Sequence, residues 1–269
     1  MSMVRTTAVS LSLAVVLLAP AAASAGTVTV SPDANARLAI FAAGPNERNV
    51  LSFTTGGPEH LDIADEGAPL TGQPLVGEVG CAVTGAASLL CQPATNLEAS
   101  LGDEDDRART RSFFLGRALV WGGGGDDVIA LDSHAQFTRA YGGPGDDHMS
   151  FFIAMPTTGS GGLEGGGGHD LITLDAPGGH AYARGDAGAD RIEVAAGAEF
   201  SAYALAGGDG PDVLVAGPGE DTADGGAGRD AIDTRGGGAD AVTCGAGNDT
   251  VSADATDTIA ADCEHVTIG

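Results

Sequence analysis

A nine-residue frame recurs through this 269-residue chain: two glycines, a third glycine at place four, an aspartate at place six and a large apolar residue at place eight. The first copy starts at Gly122 and sets Gly123, Gly125, Asp127 and Ile129 in the frame. The second keeps Gly142, Gly143, Gly145, Asp147 and Met149, and the third Gly165, Gly166, Gly168, Asp170 and Ile172. The fourth has Gly185, Gly188, Asp190 and Ile192, with Asp186 in place of the second glycine, and the fifth has Gly207, Gly208, Gly210, Asp212 and Leu214. Then the copies tighten: Ala216 with Asp221 and Ala223; Gly225, Gly226, Gly228, Asp230 and Ile232; Arg235 with Asp240 and Val242; and Cys244, Gly245, Gly247, Asp249 and Val251. Glycine-rich composition alone does not hold an aspartate and an apolar residue two places apart through nine copies.

The spacing predicts an architecture. Successive starts lie 20, 23, 20 and 22 residues apart up to Gly207, then 9, 9, 10 and 9. If one nonapeptide makes half a turn of a coil, a full rung takes about 18 residues, so the early spacings are also about one rung each. In the early rungs one half keeps the frame, and the other is a diverged strand such as Phe137 to Tyr141 or Phe200 to Leu205. Starts at 122, 142, 165, 185, 207, 225 and 244 then stack on one side of the coil, and those at 216 and 235 on the other.

The segment 122–252 closely resembles the repeats-in-toxin, or haemolysin-type, calcium-binding nonapeptide array. The resemblance implies an all-β fold, a right-handed parallel β-roll or β-helix solenoid, with calcium ions lodged between equivalent turns of neighbouring rungs. It makes the frame glycines and aspartates named above the metal-binding residues. The chemistry agrees with it. Glycine permits tight turns that expose backbone carbonyls, the aspartate brings charge, and calcium takes six to eight hard oxygen ligands. Stacked turns bring like-charged carboxylates together, which opposes folding until a divalent cation sits between them. Metal-coupled folding is therefore expected. Sites with altered frames, at Asp186, Ala216, Pro218 and Ala239, are weaker members.

The ends carry other signals. Arg5 precedes an apolar run from Ala8 to Ala23, followed by Ser24 and Ala25, the pattern of a secretory signal peptide ending at residue 25. Residues 26–121 read as degenerate N-terminal rungs, with strands at Thr27–Val30, Val50–Phe53 and Leu61–Ala64 and with Gly26 to Val30 covering the open end; 253–269 reads as a C-terminal cap. Leu101 to Asp106 looks like a worn repeat, for which a solvated acidic turn is the favoured reading. Four cysteines in an exported chain imply two disulfides, and proximity favours Cys81 with Cys91 and Cys244 with Cys263.

Charge limits the partners. Thirty-seven acidic residues face twelve basic ones, which makes nucleic acid or an anionic membrane surface an unsuitable partner and cations the natural one. Beyond the first segment nothing reads as a membrane span. The reading that follows is a secreted, non-catalytic calcium-binding protein, with an extracellular polysaccharide or cell-envelope component as the partner class left open. The alternative is a calcium-dependent lyase or epimerase acting on acidic polysaccharide, but the chain has no lysine to serve as base. Arg139 and Arg184 read as surface residues beside acidic loops, and His60, His134, His148, His169 and His180 as solvent-exposed turn residues. A third reading, the repeats as a secretion tail, fits poorly with an N-terminal signal.

Overall fold

A computed structural model describes residues 26–30, 38–57, 60–72, 80–85, 87–92, 94–112, 116–133, 137–152, 160–176, 180–195 and 202–269. Residues 1–25, read from sequence as a signal peptide, His134 and Phe200 lie outside the described residues. The described chain is strand and turn without helix, so no helix among the described residues is long and apolar enough to cross a membrane.

Seven strands come first: β1 (Gly26–Val30), β2 (Leu38–Ala42), β3 (Val50–Gly57), β4 (His60–Asp65), β5 (Leu70–Gly72), β6 (Gly80–Gly85) and β7 (Ser88–Gln92). The coil continues with β8 (Asn96–Gly102), β9 (Arg107–Ser112), β10 (Arg117–Gly123), β11 (Val128–Ser133), β12 (Phe137–Pro144), β13 (His148–Phe152), β14 (Ser160–Gly168), β15 (Leu171–Asp175), β16 (His180–Gly188) and β17 (Arg191–Val194). It ends with β18 (Ala202–Asp209), β19 (Val213–Val215), β20 (Thr222–Gly228), β21 (Ala231–Asp233), β22 (Ala241–Gly247), β23 (Thr250–Ala253), β24 (Thr258–Ile259) and β25 (His265–Ile268).

From β8 onward, even-numbered strands stack in parallel in one sheet and odd-numbered strands in another, so the chain changes sheet at every turn. This is the parallel β-solenoid that the spacing predicts. The apolar frame residues stack in register, Ile129 on Met149, Ile172, Ile192, Leu214, Ile232 and Val251. Facing them from the other sheet are Val120, Ala140, Leu163, Ala183, Leu205, Ala223 and Val242. All of these are buried. Period-two alternation puts one or two side chains per strand into a narrow core, and the backbone ladder supplies the rest of the cohesion. The odd-numbered strands shorten from six residues in β11 to three in β19 and β21. As the rungs tighten, the connection from odd to even strands becomes a nonapeptide turn itself.

The N-terminal part is less regular than a run of worn rungs. Strands β2 and β3 pair in parallel with β8 and β9 and do form a rung. Leu61–Ala64, read as another rung from sequence, instead lies in β4, which runs antiparallel to β3 and β7, with β6 antiparallel to β7 beyond it. Short connections after β3 and β6 let the chain fold straight back, whereas a parallel neighbour needs a full circuit. Gly26 to Val30 pairs antiparallel with β2 and parallel with β5 at the edge of the even-stranded sheet.

Both disulfides follow the expected pairing. Cys81–Cys91 joins cross-strand neighbours of β6 and β7, and Cys244–Cys263 ties β22 to the C-terminal segment. Strands β24 and β25 add one further rung, pairing with β22 and β23.

Candidate metal centre

Seven frame turns stack on one side of the coil: Gly143 aligns with Gly166, then Asp186, Gly208, Gly226 and Gly245, above the pair formed by Gly123 and Gly102. Two of the frame glycines answer to the backbone. Gly143 at the second place has φ +117° and Gly145 at the fourth +142°, a region closed to most side chains, and the pattern repeats in the neighbouring turns. Asp186 adopts φ 73° where its neighbours carry glycine, a conformation aspartate tolerates better than most residues. The first glycine has a different role. A Cβ on Gly122 would overlap Asp127 Oδ2 and crowd the Gly142 carbonyl oxygen, and Gly142, Gly207 and Gly225 stand in the same relation to Asp147, Asp212 and Asp230. The missing side chain opens a cradle bounded by a carboxylate oxygen and a carbonyl oxygen of the next rung.

The aspartates form a relay. Asp127 N–H donates to Asp147 Oδ1 at 2.8 Å, Asp147 to Asp170, Asp170 to Asp190, each at 2.8 Å. The relay runs on through Asp212, Asp230 and Asp249. One oxygen of each carboxylate is thus used by the backbone of the preceding rung. The other is not: Oδ2 of Asp127, Asp147, Asp170, Asp190, Asp212, Asp230 and Asp249 is buried without a hydrogen-bond partner. Such an orphan costs about 1–3 kcal/mol, more for a charged group, so its repetition in every rung requires a ligand to explain it.

Burial raises these carboxyls. Asp147 and Asp212 are pushed up to about 7 and Asp127 and Asp170 to about 6, with desolvation the largest cause, neighbouring aspartates adding to it and the relay bond opposing it. Asp190 and Asp230 shift the same way.

The opposite side carries a shorter column. Asp221 N–H donates to Asp240 Oδ1 at 2.7 Å, as the 216 and 235 starts predict. Burial raises Asp221, and it raises Asp240 to about 6 with an orphaned Oδ2. Gly217 N–H donates to Asp221 Oδ2, so that oxygen is not free.

Several column members were not read from sequence. Asp257 accepts the Asp240 N–H at 3.1 Å, and Glu264 accepts the Asp249 N–H at 3.0 Å, so each closes a column. Asp257 stands six places into a glycine-free copy starting at Ser252, with Ile259 at the apolar place; the aspartate and apolar spacing was legible, but the glycines were absent. Asp106, in the turn read as solvated, is fully buried and donates its N–H to Asp127 Oδ1. A second, exposed relay runs through the fifth place of the frame in the reverse sense, from Asp126 N–H to Asp105, Asp146 N–H to Asp126 and His169 N–H to Asp146.

The residues considered for catalysis are scattered. His148 and His180 open strands rather than lying in turns, and His169 Nδ1 accepts the Ala189 N–H. Arg139 is not beside an acidic loop but over the rings of Phe137 and Tyr182. Among the described residues no three His, Cys, Asp or Glu side chains close on one point. The frame turns instead set a carboxylate oxygen beside backbone carbonyl oxygens, a hard donor set of the kind calcium takes.

Comparison with known families gives a match to the RTX calcium-binding nonapeptide repeat (4 copies), over residues 119–133, 206–238 and 234–259. No curated protein and no solved structure gives a match. The matched segments supply turns to both columns, so the chain is a parallel β-solenoid in which these segments match the RTX calcium-binding nonapeptide repeat.

Proposed function

We propose that the protein is a secreted, non-catalytic β-solenoid whose repeat region is held folded by calcium ions lodged between its stacked turns. The observation that carries this reading is the buried, unpartnered Oδ2 repeated in all seven turns of the longer column from Asp127 to Asp249, in six of them beside the space left by a first-place glycine. Each turn offers Asp Oδ2 and carbonyl oxygens; calcium supplies the positive charge that those oxygens lack. Secretion is supported by the signal-like first 25 residues and by two disulfides, which persist in oxidising compartments.

The non-catalytic half of the reading is put to the test at the open surface. A groove of about 440 Å³ on the outer face of the even-stranded sheet is lined by Arg139, His180, Tyr182 and Glu220 among others. Tyr182 donates its hydroxyl to Glu164 at 2.8 Å, and burial with that carboxylate pushes it up to about 12, far above a working base near neutrality. Incubation with uronate polymers should release no unsaturated product; its appearance would favour the lyase reading.

The test of the calcium reading is metal stoichiometry on the mature chain by equilibrium dialysis, with circular dichroism in chelator and in millimolar calcium. About six to eight ions per chain and a gain of β signal on adding calcium are expected from the number of stacked turns. An unchanged spectrum with no bound calcium would refute it.

A further inference from the structure

The cation column does not begin where the glycine-rich frame begins. We infer that a further calcium site lies one turn upstream, between the turn at 101–106 and the first frame turn at 122–127, and that Asn49 closes the column below it.

The turn at 101–106 departs from the frame at its first place, Leu101, and at its fourth, Glu104. It nevertheless keeps the frame's geometry at its second and sixth places, although Leu101 carries the side chain that the first-place glycines lack. Gly102 pairs in register with Gly123 and has φ +116° against +110° for Gly123. Asp106 is placed as the frame aspartates are: its Oδ1 accepts the Asn49 N–H at 2.6 Å, and its own N–H donates to Asp127 Oδ1 at 2.8 Å. Those two bonds fix the carboxylate in the same orientation as in the turns above. Its Oδ2 is left buried with no partner, in a residue with 0% exposure. A solvated acidic turn would present this oxygen to water. A buried orphan carboxylate oxygen at the same step of the relay calls for the same kind of ligand, an oxygen-seeking divalent cation.

One rung lower the arrangement changes chemically. Asn49 stands in the aspartate's place, fully buried, and its N–H continues the relay to Asp106. Its side-chain amide donates toward three oxygens, Leu101 O at 2.9 Å, Glu47 O at 3.1 Å and Asp106 Oδ1 at 3.2 Å. The Leu101 carbonyl matches the Gly142 carbonyl beside the cradle in the frame turns. An NH₂ group therefore meets the carbonyl oxygen that would face a cation in the turns above. The amide adds no charge and leaves only its neutral Oδ1 buried without a partner, so Asn49 turns no carboxylate oxygen toward this gap and the column of anionic ligands ends there.

This inference rests on the calcium reading, and one experiment separates the two. Bound calcium is counted on the full mature chain by equilibrium dialysis at saturating calcium, for the parent, Asp106→Asn and Asn49→Asp. Asp106→Asn keeps the acceptor for the Asn49 N–H and is expected to lose one ion per chain; Asn49→Asp recreates a frame carboxylate and is expected to gain one. A parent that binds calcium while Asp106→Asn binds just as many ions overturns this site and leaves the array untouched. If Asp106→Asn does not fold, Asn49→Asp decides: a gained ion supports the assignment, and an unchanged count overturns it. A parent that binds no calcium fails the array itself.

Discussion

Replacing one relay aspartate by asparagine should stabilise the metal-free protein and weaken its response to calcium. Asp170 sits mid-column, accepting the Asp147 N–H through Oδ1 and donating its own N–H to Asp190. Asparagine keeps the Oδ1 acceptor and puts NH₂ where the orphaned Oδ2 stood, near the Gly185 carbonyl. The carboxyl is pushed to about 6 from an ordinary 3.8, chiefly by burial. At pH 7.5 that gap corresponds to a ceiling of about 3 kcal/mol of unfavourable charge burial. Solvent at the turn rim and sharing of charge along the relay reduce this to about 1–2 kcal/mol. In chelator at pH 7.5, Asp170→Asn should then melt about 2–8 °C higher than the parent. At pH 4, where the parent's carboxyl is itself protonated, the two should coincide. In saturating calcium the order should reverse, because the variant has lost an anionic oxygen facing the cation. Thermal melts by circular dichroism under these three conditions give the readout. A variant destabilised equally at both pH values in chelator, or one with the parent's full calcium response, would refute the reasoning.

The pH dependence of the metal-free chain follows from the same carboxyls. Those of Asp106, Asp147 and Asp212 are raised to about 7 and those of Asp127, Asp170 and Asp240 to about 6, so the folded state binds protons more tightly than the unfolded one. Their stabilising contribution is complete below the unfolded value near 4 and is lost as pH rises through about 6 to 7. The melting temperature in chelator should fall from pH 5 to pH 8, whereas calcium affinity should rise over the same range because its ligands must be deprotonated. Gly143→Val should cost more than about 2 kcal/mol in urea unfolding, since it combines φ +117° with overlap on the Gly123 carbonyl. Gly124→Ala, with nothing within 4 Å of its added carbon, should change stability by less than about 0.5 kcal/mol. Removing Cys244–Cys263 by a double serine substitution should cost about 2–4 kcal/mol and raise amide exchange in β24 and β25 first, because that bridge holds the last rung.

Much of this protein was legible as periodicity. An aspartate and an apolar residue at constant offset set which side chain of each half-turn points inward, and the change of spacing after Gly207 sorted the turns onto two sides of the coil. The frame also announced its chemistry, since carboxylates and glycine-exposed carbonyls are hard donors. Cysteine proximity was enough to pair the disulfides. All of these are read along the chain, from residues within a copy or from the spacing of one copy to the next.

What tertiary structure decided concerns contacts between rungs, made by residues 15 to 57 positions apart. Which carboxylate oxygen serves the backbone and which is left for a ligand depends on the register of one turn on the next. That register buries Asp106 in a turn whose local sequence is acidic and polar, and it recruits Asn49, Asp257 and Glu264 to close columns without a glycine frame around them. The antiparallel strands β4, β6 and β7 were likewise invisible, because alternating strands look alike whichever way their neighbours run, and only the length and path of the connections select between a hairpin and a circuit.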